Sequence, residues 1–159
     1  MNILLDEHKK LLIELLEAGV EFILVGGHAV IFFGHARTTG DMDIWLKPDN
    51  QNKEKLILVL EKYDFLAEDM QTLKKADFTK MVAFHMDDYP KRVDFITWLS
   101  GLKFDEAFEN KTFLPLENFQ VPILHLNDLI VNKLKSGRFK DRADVEALQK
   151  LMALKKKKI

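Results

Sequence analysis

The chain has 159 residues, no cysteine, and 24 basic against 25 acidic side chains for a net charge of −1, which argues for a single domain over residues 1–159 and excludes a disulfide scaffold. A composition of 47% hydrophobic and 31% charged residues is that of a folded domain and excludes intrinsic disorder. No apolar run reaches the ~20 residues of a membrane span and the first residues do not read as a secretory signal, so a cytoplasmic protein is expected; near-zero net charge excludes bulk binding to a DNA backbone.

Residues 4–18 place Leu4, Leu5, His8, Leu11, Leu12, Leu15 and Leu16 at three- and four-residue intervals, the stripe of an amphipathic helix closed by Gly19. A β-rich apolar run over 20–25 predicts a strand that ends at Gly26-Gly27, and 28–33 reads as a short helix stopped by Gly34. Alternation over 41–46 predicts the next strand, and Pro48-Asp49-Asn50 leads into a helix over 51–62. Runs 80–86 and 92–98 form an antiparallel hairpin around the turn 87–91, which makes the sheet mixed. Residues 104–109 read as a helical turn. Two prolines in 111–124 predict an extended path at a sheet edge. Helices over 127–136 and 139–154, divided by Gly137, close a mixed-sheet α/β fold, with Lys155 to Lys158 as a solvated helix end.

The chemistry gathers where Val25-Gly26-Gly27 ends one strand and Asp41-Met42-Asp43-Ile44 opens the next. An Asp-x-Asp pair alone is expected about once by chance in a chain this rich in aspartate, and Gly-Gly turns are common. The combination is informative because a strand projects Asp41 and Asp43 from one face and turns Met42 and Ile44 to the core. Two carboxylates held together repel unless a cation sits between them, and hard oxygen donors select Mg²⁺ or Mn²⁺. Glycines at the preceding turn let backbone N–H groups approach a phosphate. Asp94, flanked by Val93 and Phe95, is a third carboxylate facing out of a strand; if that strand neighbours the Asp41 strand, the cluster could hold two metal ions. On the helix over 127–136, Lys133 continues the apolar stripe of Leu126, Leu129 and Ile130, so its ammonium needs a partner or, by snorkelling, reaches water.

Gly26-Gly27, Asp41-Met42-Asp43 and Asp94, in this order and spacing, resemble the signature of the DNA polymerase beta-like nucleotidyltransferase superfamily, and most closely its small single-domain bacterial members. That group includes minimal and antibiotic nucleotidyltransferases and toxin–antitoxin components. The resemblance covers residues 22–46, 92–97 and, more loosely, 126–148. It implies that Asp41, Asp43 and Asp94 bind metal, with Asp94 helping to deprotonate an acceptor hydroxyl. It further implies that Lys133 meets the triphosphate of ATP or another NTP and that Arg37 and Thr39 lie near the phosphates, although Arg37 reads equally well as a surface residue. Many members have Gly-Ser where this chain has Gly26-Gly27, so phosphate contact there rests on backbone groups.

The expected activity is metal-dependent transfer of a nucleoside monophosphate to a hydroxyl on a small molecule, a tRNA or a protein, with binding of the acceptor across a homodimer interface as an alternative. The rival is a nucleotidyltransferase-like binding or antitoxin-type regulatory protein with little turnover. A haloacid dehalogenase-type phosphatase is excluded because Thr38-Thr39-Gly40 precedes the aspartate pair and Ile44-Trp45 follows it. Asp141 and Asp144 are expected to cap the last helix and to pair with Arg138 or Lys133. His28 and His35 offer no convincing zinc set. Phe32, Phe33, Trp45 and Trp98 are expected in the core or a pocket wall.

Overall fold

A computed structural model describes residues 4–88, 90–139 and 141–157. Their elements, in chain order, are α1 (Asp6–Glu17), β1 (Phe22–Val25), α2 (Gly26–Phe32), β2 (Met42–Leu46), α3 (Asn50–Leu60), α4 (Ala67–Lys75), β3 (Ala83–Met86), β4 (Val93–Ile96), α5 (Phe104–Glu109), β5 (Thr112–Leu116), β6 (Phe119–Ile123), α6 (Leu126–Ser136) and α7 (Asp141–Lys157). The leucine stripe of α1 buries Leu11, Leu12 and Leu15 in the core. All four residues of β1 are buried, so this strand is covered on both faces and lies at the centre of the sheet.

One mixed sheet has the strand order β3-β4-β2-β1-β6-β5. The connection from β1 to β2 is only a short helix and an irregular return, and β2 runs antiparallel to β1, pairing Val25 with Asp43 and Leu24 with Ile44. β4 lies parallel to β2 and sets Asp94 beside Asp43. The predicted hairpin is present as antiparallel β3 and β4; Tyr89 of its turn lies outside the described residues.

Three features differ from the sequence expectation. Residues 111–124 form a full hairpin, with β5 at the edge and β6 in the interior between β5 and β1. Pro122 is tolerated there because the parallel pairing with β1 takes hold only beyond it: Ile123 pairs with Leu24, and the Leu124 N–H donates to the Leu24 carbonyl at 3.1 Å. Helix α4 occupies a stretch without a predicted element, since only its Leu73 is buried and one residue makes no stripe. Its C-terminus is held by the buried ammonium of Lys53, which donates to the carbonyls of Lys74 and Ala76 at 2.9 and 2.7 Å. Trp98 is 50% exposed, whereas Trp45 is buried edge-on against Phe104. Lys155, Lys156 and Lys157 are exposed at the end of α7, and Lys158 lies outside the described residues. Among the described residues, no helix is long and apolar enough to cross a membrane.

Candidate active site

The turn from β1 into α2 needs two glycines for two reasons. Gly26 has φ +70°, a left-handed backbone that side chains disfavour, and a Cβ there would also collide with the Asp43 carboxylate. A Cβ on Gly27 would stand 2.5 Å from Thr39 Oγ1 and 2.9 Å from Thr39 Cβ. The glycines therefore bring the backbone against the Asp43 carboxylate and the Thr39 hydroxyl.

Alternation places the carboxylates as expected: Met42 and Ile44 are fully buried while Asp43 faces outward. Asp43 and Asp94 are register partners on adjacent parallel strands. A cavity of about 400 Å³ is lined by Gly26, Gly27, Arg37, Thr39, Asp41, Asp43, Asp94 and Lys133, which span residues 26 to 133 of the chain. Asn132, Arg138 and Asp141 complete its basic and polar wall.

Burial, followed by the neighbouring charges of Asp94 and Asp41, pushes the Asp43 carboxyl up to about 6, against the opposing pull of Lys133 and Arg138. Asp94 is already engaged. Arg92 donates to it from Nη2 at 3.0 Å and from Nε at 3.2 and 3.3 Å, and Arg92 Nε stands 3.9 Å from Asp41. These hydrogen bonds to Asp94 hold the Arg92 guanidinium above its ordinary value. Among the described residues no three acidic or histidine side chains stand close enough to enclose a metal ion, and Arg92 occupies the carboxylate of Asp94. The donor chemistry still fits a hard divalent cation, because three oxygen-donor side chains share one cavity and the most buried of them resists ionising beside the other two.

Lys133 is 6% exposed, so it does not snorkel to water. Its ammonium meets Asp141 Oδ1 at 3.0 Å and Asp144 Oδ2 at 3.1 Å, the pairing expected for these two aspartates. Asp141 also accepts from the Ser136 hydroxyl and from Arg138 Nε at 2.9 Å. Burial acts to raise the Asp141 carboxyl, but the hydrogen bonds from Ser136 and Lys133, with the Lys133 charge, outweigh it and hold it at about 2. Asp144 accepts from Arg37 Nη1 at 2.7 Å, which ties the loop ahead of Asp41 to α7. Arg37 is thus exposed but tethered, and it also lines the cavity.

Sequence reasoning missed Arg92, although its signal was present: an arginine two residues before an outward-facing strand aspartate shares that aspartate's face. It also missed the role of His28, which is buried behind the glycine turn with its ring edge-on to buried His8, centroids 5.8 Å apart. Nδ1 of each ring is buried without a hydrogen-bond partner, while His8 Nε2–H donates to the Lys91 carbonyl at 3.1 Å. Burial, then the neighbouring His8, pushes His28 down to about 4. His35 Nε2 stands 3.7 Å from Asp144 Oδ1.

A family model described as nucleotidyltransferase of unknown function (DUF6036) matches residues 3–155. Two solved structures share the fold. Lincosamide antibiotic adenylyltransferase LnuA, in its lincomycin-bound form, is 16% identical with a TM-score of 0.57, over 95% of this chain and 99% of that one. An antigenic nucleotidyltransferase-like protein from Paracoccidioides brasiliensis is 13% identical with a TM-score of 0.54, over 92% of this chain and 73% of that one. No curated protein matches the chain.

Proposed function

Because the chain belongs to the family of nucleotidyltransferases of unknown function matched over residues 3–155, we propose that it moves a nucleoside monophosphate from an NTP to an acceptor hydroxyl in a reaction that requires Mg²⁺ or Mn²⁺. The observation that carries this reading is the single cavity in which Asp41, Asp43 and Asp94 face Arg37, Lys133 and Arg138. Bound there, a divalent cation supplies charge neutralisation for the phosphates and acidifies the attacking hydroxyl.

The chain's own groups do the rest. Asp41 and Asp43 hold the cation, and Asp94, once released from Arg92, takes the proton of the acceptor hydroxyl. The hydroxyl oxygen bonds to the α-phosphorus, the α–β bridging bond breaks, and pyrophosphate leaves with the charge of that bond. Arg138 and Lys133, in the wall of the same cavity, would balance the charge of the leaving group. Gly26 and Gly27 let the backbone close on the phosphates with no side chain between. The acceptor is a small alcohol, a tRNA or a protein. The Arg92 clamp on Asp94 favours a second reading, nucleotide binding without transfer in a regulatory or antitoxin-type protein.

A panel of NTPs with Mg²⁺, Mn²⁺ or EDTA separates these readings. At 100 times its dissociation constant a ligand adds about 2.7 kcal/mol of stability, so the matching NTP with metal should raise melting by roughly 5 to 10 °C. Transfer of α-phosphate label to lincomycin, bulk tRNA or the chain itself is expected under the first reading. The melting shift without transfer to any acceptor supports the second, and no shift with any NTP overturns both.

A further inference from the structure

The two edges of the sheet are finished differently. Edge strand β5 carries Pro115, which has no N–H to offer a neighbour, whereas edge strand β3, Ala83-Phe84-His85-Met86, carries neither proline nor lysine. The Thr97 N–H donates to the Val82 carbonyl at 3.0 Å and so sets the alternation of the β3–β4 ladder. Val82, Phe84 and Met86 turn their backbone groups toward β4, and Ala83 and His85 turn theirs outward. Ala83 and His85 are both exposed, and among the described residues nothing pairs with their outward groups.

Helix α4 runs beside this edge without closing on it. Two adjoining clefts of about 290 and 360 Å³ share Phe65, Asp69 and His85. The first has an apolar side made by Leu73, Val82 and Phe84. The second is rimmed by Asp64, Asp69, Asp87 and Asp88. No lysine or arginine lines either cleft, and among the described residues none of the four aspartates is in an ion pair.

We propose that the β3 edge and its cleft receive an extended segment of a partner protein, one that alternates lysine or arginine with apolar residues, as a seventh strand of the sheet. Outward backbone groups recognise the extended chain, the apolar side of the cleft takes alternate side chains, and the aspartates select cationic ones. A second copy of this chain is the poorer occupant, because β3 laid against β3 brings two sets of the same aspartates together. His85 is the register partner of Asp94, so the added strand would lie roughly 10 Å from the Asp94 strand, beside the cavity already described. The proposal goes beyond the NTP reading and stands or falls without it.

The test uses an end-blocked eight-residue peptide alternating valine and lysine, its valine–glutamate counterpart, and amide exchange of the isotope-labelled chain. The lysine peptide should bind, should slow exchange at the Ala83 and His85 amides by about 10-fold, and should bind roughly 10-fold more tightly than the glutamate peptide. Ala83→Pro removes an outward N–H at the first residue of the strand and leaves the bonds to β4, so it should melt near wild type and bind the lysine peptide several-fold more weakly. Asp69→Lys with Asp88→Lys should reverse the preference between the two peptides, and this pair decides if Ala83→Pro does not fold. Equal binding of both peptides, lysine-peptide binding with no slowing at those two amides, or no binding at all overturns the proposal. So does a dimer by light scattering whose Ala83 and His85 amides are already protected, since that gives the edge to a second copy.

Discussion

Arg92 and Asp94 share a face of the chain because they are two residues apart at the start of a strand, and the guanidinium grips both carboxylate oxygens. With side chains 37% and 23% exposed, the pair is only partly shielded from water, so its own contribution to stability is small. Its effect on a cation is larger. A metal ion at the carboxylates must both displace the guanidinium and tolerate its charge nearby, and each 1.4 kcal/mol of such opposition is a factor of ten. Arg92→Met is therefore expected to tighten binding of Mn²⁺ to the nucleotide-free protein by roughly 3- to 10-fold, read by titration of the free-ion magnetic resonance signal. Weaker binding in the variant would make Arg92 a support that orients Asp94, not its competitor.

At the scale of elements, α6 and α7 are joined through a buried lysine between two buried carboxylates, with Arg37 tying in the loop from the other side. Removing one partner of a buried pair leaves the others uncompensated, a loss of about 3 to 5 kcal/mol. Lys133→Met is thus expected to lower melting by roughly 6 to 20 °C in the absence of nucleotide, measured calorimetrically. Unchanged melting would mean that Arg37 and Arg138 already neutralise Asp141 and Asp144. That Lys133 points inward was legible from the stripe of Leu126, Leu129 and Ile130. Its partner was legible only as a choice, with Asp141 and Asp144 set against Arg138 or Lys133, because the two aspartates arrive on the next helix and the rotation of one helix about another is not written in either periodicity. The same limit runs through the molecule. Asp41, Asp43 and Asp94 were readable from two-residue alternation, but the reason for Gly27 depends on an approach by Thr39 that no local pattern records. Helix α4 and the interior place of β6 were hidden for a related reason, since one buried leucine and a proline-bearing strand take their structure from what packs on them.

For the whole molecule, two groups on either side of the glycine turn titrate against each other. His28 sits at about 4 when folded against 6.5 ordinarily, so the unfolded chain binds the extra proton between those values and stability is lost as pH falls from 6.5 toward 4. Asp43 sits at about 6 against 3.8, so the folded chain holds the extra proton and stability is gained as pH falls from 6 toward 3.8. The two effects oppose one another across nearly the same window, and the wild-type melting temperature should change little with pH there on their account. Asp43→Asn removes only the compensating half. In EDTA at pH 7.5 the variant should be more stable than wild type by about 1 to 2 kcal/mol after allowance for solvent screening, a gain of a few °C. That advantage should shrink on acidification and vanish near pH 4, because wild-type Asp43 is by then protonated while both proteins still carry the His28 loss. Added Mg²⁺ should narrow the gap at pH 7.5 by stabilising wild type alone, since the ion relieves the repulsion that the variant no longer has. Melting curves that stay parallel for the two proteins from pH 7.5 to 4 would show that Asp43 ionises freely in the folded chain, and with that the case for a cation-demanding carboxylate cluster would fall.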